Sequence, residues 1–244
     1  MSPPALQWPV TALAEALAPH LPGCAVEVVP ERDSTNSGLM RRARAGRAAP
    51  VRLVAEAQTA ARGRLGRGWQ GGEVGGALSC SLGLPLAPRD WSGLSLAVGV
   101  AVAESLQPRL PDAASGQPRV LLKWPNDLWL QDVRKLGGIL VETASFTGGA
   151  EPRYVVIGIG LNVLPVRAQG LATPPACLRE VDATLTAASS LQRIALPLVQ
   201  TLLGFAEHSF APFQARFAQR DLLAGRGVTL SDGQHGTAHG VSEE

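Results

Sequence analysis

The sequence predicts an α/β fold in which helices flank a mixed, largely antiparallel sheet. Candidate helices and strands are interspersed along the chain. Between 120 and 160 the strands are joined by links of hairpin length, which suit antiparallel neighbours better than a doubly wound parallel sheet. The chain has 244 residues, of which 45% are hydrophobic. It can therefore form one large domain with its own core.

The first half of the chain contains helical and alternating patterns in turn. Residues 9–20 carry Val10, Leu13 and Leu17 on one helical stripe. Strands are predicted over 25–29, ending at Pro30, over 51–56 and over 77–82, and a helix over 39–44. The four small polar side chains of 33–36 either cap that helix or cradle a polar ligand, and the two roles are compatible.

The second half continues with one apolar helix, several short strands and a long helical stretch. The predicted elements are a helix over 92–106, strands over 120–123, 135–142 and 154–159, and helical residues over 191–217 with a break at Pro212. Residues 128–130 form a short apolar segment between two turns. Turns are expected at 124–127 and 131–134. Trp124 and Trp129 are expected in the core rather than in a site, because large rings are usually well buried.

Composition argues against several classes of protein. The net charge of +2 is too small for wholesale nucleic-acid binding. The longest apolar run, 93–103, is too short for a bilayer, which needs about 20 residues, and the N-terminus lacks the basic start of a secretory signal. Three scattered cysteines, Cys24, Cys80 and Cys177, suit free thiols in a reducing compartment. We therefore expect a cytoplasmic protein without membrane contact.

Arginines and glycines are concentrated after the strand predicted over 51–56. Arg62, Arg64 and Arg67 lie within six residues, and seven glycines fall between 63 and 76. Guanidinium groups bind phosphates or carboxylates through two hydrogen bonds, and glycine lets backbone N–H groups approach an anion. A merely basic surface loop is the alternative, but the large ring of Trp69 is unusual in a solvated loop. We interpret the stretch as a mobile anion-binding loop.

Several well-known nucleotide and hydrolase motifs are missing. Gly66-x-Gly68-x-x-Gly71 has the letters of a dinucleotide-binding motif, but no strand directly precedes it and Gly72 stands where a helix should begin. No Gly-Lys-Ser/Thr and no G-x-S-x-G occurs. The chain has only two lysines, Lys123 and Lys135. Both lie beside predicted turns, where binding sites tend to form.

Five segments, in this order, resemble the motifs of biotin–protein ligases. They are 33–36 (Asp-Ser-Thr-Asn), 58–69, 123–127 (Lys-Trp-Pro-Asn-Asp), 134–142 (Arg-Lys-Leu-Gly-Gly-Ile-Leu-Val-Glu) and 158–162 (Gly-Ile-Gly-Leu-Asn). The resemblance implies a catalytic domain of the class II aminoacyl-tRNA synthetase and lipoate ligase type over 1–220. It also implies that 221–244 is the opening of a small SH3-like β-barrel, with too few residues to close one.

The activity implied by the resemblance has two steps. Biotin and ATP, with Mg²⁺, form biotinyl-5′-AMP and pyrophosphate. A lysine of the biotin carboxyl carrier protein of acetyl-CoA carboxylase, or of a similar acceptor domain, then takes the biotin. Two alternatives stay open, a lipoate or octanoate ligase and a non-catalytic biotin sensor. No DNA binding is expected, because no N-terminal DNA-binding domain is recognised, and a homodimer is left open.

The resemblance also implies roles for individual residues. The catalytic residues would be Lys135, Arg64 and Arg67. Biotin would contact Ser34, Thr35, Asn36, Gln58, Arg62, Gly63, Arg64, Trp69, Lys135 and Gly138. ATP and its phosphates would contact Arg62, Arg64, Arg67, Trp69, Asn126, Asp127 and Asn162, and Asp127 would also bind Mg²⁺. For Asn126 and Asp127 a plain turn is the alternative, and Gly158 and Gly160 could serve only close packing of the sheet.

Three further expectations concern the backbone. Ala61 stands where the family commonly has glycine, which would cost about 1 kcal/mol if that position needs a positive φ. Residues 62–76 are expected to be disordered without ligand and to become ordered around an adenylate. Poor order is expected beyond Leu230, because an incomplete barrel leaves unpaired strand edges.

Overall fold

The fold combines five helices with two sheets in the residues that the computed structural model describes, 6–69, 74–145, 152–166, 173–230 and 232–242. The helices are α1 (Val10–Leu17), α2 (Thr35–Arg44), α3 (Leu94–Leu106), α4 (Ala187–His208) and α5 (Ala211–Ala218). The strands are β1 (Ala25–Arg32), β2 (Val51–Gln58), β3 (Ala77–Leu86), β4 (Val120–Lys123), β5 (Asp127–Leu130), β6 (Arg134–Ala144), β7 (Arg153–Asn162), β8 (Gly227–Thr229) and β9 (His235–Thr237).

The order of strands confirms the mixed, mostly antiparallel sheet. The large sheet has the order β1-β2-β3-β7-β6-β5-β4. β1 and β2 are parallel, and the five other neighbouring pairs are antiparallel. The short links on either side of β5 give the antiparallel pairs that were predicted from their length.

One face of the sheet is covered by α1, α3 and α4 and carries the larger part of the core. α3 is apolar on nearly every side because the sheet lies beneath it and α4 packs against it. Val98 and Val102 belong to the same buried cluster as Ile157 and Leu198. Fully burying an aliphatic side chain of this kind contributes roughly 1.5–3 kcal/mol.

The opposite face is covered only in part, by α2. Leu39 of this helix packs with Leu53 and Val156 in a second buried cluster. Farther along the same face the central strands carry glycines, with Gly138 of β6 paired to Gly160 of β7. The area beyond α2 is therefore shallow and leaves room for a cleft.

Several boundaries differ from those predicted, each for a physical reason. β1 continues through Pro30 because it is an edge strand, where a missing N–H leaves no neighbour unpaired. α2 begins four residues earlier than predicted, because Ser34 caps it. The long helical stretch breaks at Ser209, whose φ is +53°. Pro212 lies instead in the first turn of α5, where proline is tolerated, and Pro197 lies inside α4.

The C-terminal residues join the edge of the large sheet before they leave it. Leu122 N donates to Arg220 O (2.7 Å), and Leu222 N donates to Leu122 O (2.9 Å). Leu222 is buried in one cluster with Trp129. β8 and β9 then form a separate two-stranded sheet. Poor order beyond Leu230 stays a prediction.

Two expectations from composition, concerning membrane-spanning segments and the cysteines, can be compared with the structure. No helix within the described ranges combines the length and the apolar character needed to cross a bilayer. Cys24, Cys80 and Cys177 are all free cysteines.

Candidate active site

A cleft of about 560 Å³ opens on the sheet face beside α2. Its floor is formed by β6 and β7, and its walls by the N-terminus of α2, the Arg-Gly loop (residues 61–69) and the turn between β4 and β5. The predicted site residues that line it are Ser34, Thr35, Asn36, Gln58, Arg62, Gly63, Arg64, Arg67, Trp69, Asn126, Asp127, Lys135 and Gly138. These residues come from four of the five family-like segments, and Gly158 and Gly160 of the fifth also line the cleft.

The polar residues at the start of α2 both cap the helix and line the cleft. The Ser34 hydroxyl accepts a bond from Ser37 N at 3.4 Å. Thr35 N donates to Gln58 Oε1 (2.8 Å), which holds this side chain against the helix N-terminus. The Asn36 amide donates to Glu142 Oε2 (2.9 Å). The residue that caps the helix, Ser34, also lines the cleft, so capping and lining the cleft occur together in this segment.

Ser81 of β3 supports this polar end of the cleft from below. Its hydroxyl lies 2.6 Å from Asn36 Oδ1 and 2.7 Å from Thr35 Oγ1. Ser81 is fully buried, and Thr35 and Asn36 are only 4% and 3% exposed. Buried polar groups that bond each other in this way are held in one geometry. Sequence reasoning missed Ser81, although an alternating strand with Ser79 and Ser81 on one face was a usable signal.

The Arg-Gly loop has a short antiparallel stem and a tight tip. Gly63 N donates to Arg67 O (2.7 Å), and Trp69 N donates to Ala61 O (3.0 Å). At the tip, Leu65 has a φ of +57°. Ala61 does not lie in the left-handed region, so alanine causes no backbone strain there, and the expected cost is absent. Residues 70–73 of the segment that was expected to be disordered lie outside the described part of the chain.

Cations and carboxylates alternate around the cleft. Lys135 Nζ lies 2.8 Å from Asp127 Oδ2, and Arg62 Nη2 lies 2.7 Å from Glu142 Oε1. Arg64 Nη1 donates only a long bond, 3.4 Å, to Asn126 Oδ1. Glu142 was not predicted as a site residue. Its place in a strand two residues after Leu140, which lines the cleft, was the signal that could have found it.

Glycines on the floor make room for site side chains. A Cβ on Gly160 would lie 2.8 Å from the Trp69 ring, and one on Gly158 would lie 2.2 Å from Asn36 Oδ1. A Cβ on Gly138 would lie 3.2 Å from Asp127 Oδ1. The close packing that these glycines permit is therefore packing against the residues of the cleft.

Asn162 and Trp124 are not where the sequence placed them. Asn162 is 5% exposed and is not among the residues that line the cleft; its amide donates to Ala176 O (3.0 Å) and approaches Lys135 O at 3.5 Å. It lies behind Lys135 because β7 continues past the cleft floor. Trp124 is 57% exposed and lines the cleft, because it belongs to the β4–β5 turn and not to a strand. Trp129, inside β5, is buried as expected.

Asn126 and Asp127 are turn residues and cleft residues at once. Asn126 exchanges bonds with the backbone of Ile139: its amide donates to Ile139 O (2.7 Å), and Ile139 N donates to Asn126 O (2.9 Å). This fixes the β4–β5 turn over β6. Lys123, the other lysine, lines the cleft with its ammonium 4.5 Å from the centroid of Trp129.

The protonation state of the cysteine in the cleft bears on the chemistry that the cleft supports. Burial raises the pKa of the Cys80 thiol, so this cleft residue is protonated at neutral pH and is a poor nucleophile. No group of three or more His, Cys, Asp or Glu that could hold a metal is found in the described ranges. The cleft therefore offers hydrogen-bond donors and fixed cations.

The fold and the cleft together define an enzyme-like α/β domain with a buried polar end and a cationic opening. Such a site suits a ligand with a neutral polar head and an anionic reacting end. A profile of the Biotin/lipoate A/B protein ligase family matches residues 32–162, just over half of the chain. The chain belongs to this family.

Individual relatives agree with the family match. "Bifunctional ligase/repressor BirA" of Escherichia coli is 35% identical over 95% of this chain and 71% of its own length. "Biotin--[acetyl-CoA-carboxylase] ligase" of Mycobacterium tuberculosis is 42% identical over 57% of this chain, which spans 49% of that relative. The solved biotin protein ligase of Aquifex aeolicus, in complex with biotin and ATP, superposes with a TM-score of 0.71 at 28% identity, over 89% of this chain and 88% of that one.

Proposed function

We propose that this protein is an ATP-dependent biotin–protein ligase that forms biotinyl-5′-AMP and transfers biotin to a lysine of a carrier domain. The family match and the Aquifex ligase with biotin and ATP support the substrates. One observation carries the proposal: the buried polar end formed by residues 34–36 and Gln58 opens directly onto Arg62, Arg64, Arg67 and Lys135 in a single cleft.

The cations are needed because both reactants of the first step are anions. A carboxylate and a phosphate 4 Å apart repel by about 4 kcal/mol at an effective dielectric of 20. A biotin carboxylate oxygen attacks the α-phosphorus, and pyrophosphate leaves. We assign Lys135 to the carboxylate and the α-phosphate, and Arg64 and Arg67 to the charge that develops on the phosphate oxygens. Asn162, behind Lys135, would support the strand that carries it.

The neutral end of the cleft would recognise the ureido head of biotin. This flat group has N–H donors and a carbonyl acceptor, each of which needs a partner when buried. Ser34, Thr35 and Gln58 offer hydroxyl and amide groups there, and Asn36 holds the segment in place. Trp69, which packs on Gly160, would lie against the biotin tail and the adenylate, with the Gly63 and Gly138 backbones nearby.

Asp127 fits a Mg²⁺ ion that is held mainly by substrate phosphates. Such ions commonly use only one or two protein carboxylates. Asp127 Oδ2 bonds Lys135, while Oδ1 has no hydrogen-bond partner among the described residues. The ion would neutralise phosphate charge during the first step.

In the second step the ε-amino group of the acceptor lysine attacks the biotinyl carbonyl, an amide forms and AMP leaves. We propose as acceptor the biotin carboxyl carrier protein of acetyl-CoA carboxylase or a similar domain, as the name of the Mycobacterium relative suggests. A cytoplasmic location and the absence of DNA binding remain part of the proposal. A gel shift with genomic DNA and sedimentation analysis would test DNA binding and the homodimer.

The test is an assay with labelled biotin, ATP, Mg²⁺ and a biotin-carrier domain. Label should appear on the carrier only when ATP is present. A lipoate or octanoate ligase would leave this carrier unlabelled and would label a lipoic acid carrier when labelled lipoate replaces biotin. A sensor would bind biotin without transferring it. Calorimetry that shows binding of lipoate and none of biotin would overturn the proposal.

A further inference from the structure

Glu142 stands near the end of β6 and holds the first arginine of the Arg-Gly loop. Arg62 Nη2 lies 2.7 and 2.8 Å from its two carboxylate oxygens, although the two residues are 80 positions apart. The Arg62 side chain is 45% exposed and the Glu142 side chain 25%. Both carboxylate oxygens engage the same nitrogen, so the contact is a charge-assisted, bifurcated hydrogen bond that fixes where this guanidinium group lies.

The Glu142 carboxylate is itself fixed from the protein interior. Asn36 Nδ2 donates to Glu142 Oε2 (2.9 Å), and Asn36 Oδ1 is bonded by the buried Ser81 hydroxyl (2.6 Å). A continuous chain of hydrogen bonds thus runs from Ser81 through Asn36 and Glu142 to Arg62. It connects β3, α2 and β6 to the loop.

Arg62 belongs to the stem of the loop, so that its position affects the whole loop. It forms an isolated antiparallel bridge with Gly68. The bond from Gly63 N to Arg67 O closes the same stem. A carboxylate that holds Arg62 therefore holds the base from which Arg64 extends.

The charges are divided in a way that suits this role. Glu142 engages Nη2 of Arg62, and among the described residues Nε and Nη1 have no hydrogen-bond partner. Neither Arg64 nor Arg67 forms a salt bridge within those residues. Two guanidinium groups and one edge of a third are therefore available for an anion.

We propose that Glu142 is a positioning residue for adenylate formation, acting through Arg62 to hold the Arg-Gly loop over the reacting phosphate. The proposal rests on the biotin ligase function proposed above. A negative charge beside a cleft that receives ATP would by itself oppose binding. Its presence is explained if the carboxylate orients a cation that the reaction needs.

The kinetics of Glu142→Gln distinguish a carboxylate that positions the loop from one that only repels ATP electrostatically. If Glu142 only adds negative charge, its removal should lower KM for ATP and leave kcat unchanged. If it positions the loop, kcat for adenylate formation should fall about tenfold, and bound biotinyl-AMP should leave about tenfold faster, because a charge-assisted hydrogen bond is lost. Single-turnover formation and release of labelled biotinyl-AMP measure both quantities.

The matched control is Glu104→Gln. Glu104 pairs with Arg216 between α3 and α5 at 2.6 Å, with side-chain exposures of 33% and 41%, and neither residue lines the cleft. This variant should keep the wild-type kcat and release rate. Wild-type protein that forms no biotinyl-AMP would contradict the proposed function itself. Active wild-type protein with an unchanged Glu142→Gln variant would overturn only the role of Glu142.

A double variant guards against a general folding defect. Arg62→Lys keeps the charge at 62 but loses the planar fork. Because Glu142 acts through Arg62, adding Glu142→Gln to Arg62→Lys should lower kcat less than twofold further. If the two effects multiply, Glu142 acts by another route and the proposal fails. This comparison is made at a temperature at which circular dichroism shows all four proteins of the cycle to be folded.

Discussion

Lys135 and Asp127 form the ion pair closest to the reacting centre that we propose. The lysine lies in β6 and the aspartate in β5, so the sheet itself sets their 2.8 Å separation. Both side chains are about a quarter exposed, which leaves the ammonium accessible to a ligand. At the scale of single residues, strands fix Lys135 and Asp127, whereas Arg64 and Arg67 belong to the Arg-Gly loop.

Replacement of Lys135 should abolish most adenylate formation without unfolding the protein. We expect Lys135→Ala to lower the rate about 100- to 1000-fold, as loss of one preorganised hydrogen-bond donor does in other sites. Pyrophosphate release measures the rate, and thermal melting tests the fold. Lys123→Ala, which removes the chain's other lysine, should be far less harmful. Normal pyrophosphate release by Lys135→Ala would refute the role.

A single methyl group at Gly160 should displace Trp69. The added Cβ would lie 2.8 to 3.1 Å from the indole ring, closer than real contacts allow. Gly160→Ala should therefore weaken biotin binding at least about fivefold, roughly 1 kcal/mol, as measured by calorimetry. Gly204→Ala is the control, since nothing lies within 4 Å of its Cβ and alanine favours a helix. Equal binding by both variants would contradict the position of Trp69.

At the scale of elements, the site depends on how α2 and the Arg-Gly loop are attached to the sheet. α2 is tied to β1 by Arg42, which forms two bonds of 2.7 and 2.6 Å to Glu27. The loop is attached through its stem and through Arg62. At its tip, Leu65 is 87% exposed. The fixed helix can recognise a ligand, and the loop can cover it.

Loss of Arg64 should make the intermediate escape. Its long bond to Asn126 contributes little to stability, so Arg64→Ala should melt like the wild type. Biotinyl-AMP should leave about tenfold faster or more, since hydrogen bonds to charged groups contribute about 1.5–3 kcal/mol. Filter binding of labelled intermediate measures the release. Arg44→Ala, at the exposed end of α2, is the control. An unchanged rate of biotinyl-AMP release from Arg64→Ala would contradict this role of Arg64.

The bond between α2 and β1 should stabilise the fold only above acid pH. Hydrogen bonding from Arg42 lowers the pKa of Glu27 from its ordinary value of 4.5. A lowered pKa means that the stabilisation is complete above the unfolded value and is lost as pH falls through the folded one. Arg42→Met should therefore reduce the free energy of unfolding by about 1 kcal/mol at pH 7.

The pH series supplies the check on this pair. In urea denaturation the difference between Arg42→Met and wild type should vanish by about pH 3. Arg44→Met on the same helix should show no such pH dependence, because Arg44 has no ion pair among the described residues. A difference that stays constant from pH 7 to pH 3 would mean that packing of the Arg42 stem is responsible.

At the scale of the whole molecule, the chain stays attached to the large sheet for several residues after the end of α5. We proposed 1–220 and 221–244 as the two parts, yet Leu222 N bonds Leu122 O of β4, and Leu222 is 2% exposed. Two residues of the second part thus complete the edge of the first. The β8–β9 sheet beyond them is mostly exposed.

Matched leucine variants would locate this boundary. Leu222→Ala should cost about 2–5 kcal/mol, as expected for truncation of a buried leucine. Leu230→Ala, at a position that is 56% exposed, should change the free energy of unfolding by less than about 0.5 kcal/mol. Chemical denaturation monitored by Trp fluorescence compares them. Equal costs would show that the C-terminal segment is integrated with the core as a whole.

Much of the secondary structure and most of the cleft could be predicted from the sequence. Periodicity and hairpin links identified the helices and six of the seven strands of the large sheet, whereas β5 was recognised only as a short apolar segment between turns. The five family-like segments contained nearly every residue that lines the cleft. These features depend on residues close together in the chain. The predictions differed from the structure where a residue's place in the folded chain determines its environment. Examples are Pro30 on an edge strand, Trp124 in an exposed turn and Asn162 behind the cleft.

By itself, the sequence determined the fold class, the family and the cationic loop, because local patterns and ordered motifs encode them. Only the tertiary structure decided which side chains hold that loop and which side chain of the cleft each floor glycine faces. The contacts of Glu142 with Arg62 and of Ser81 with Asn36 join residues 80 and 45 positions apart. They exist because the strand order β3-β7-β6 brings distant segments side by side, and no local pattern specifies that order.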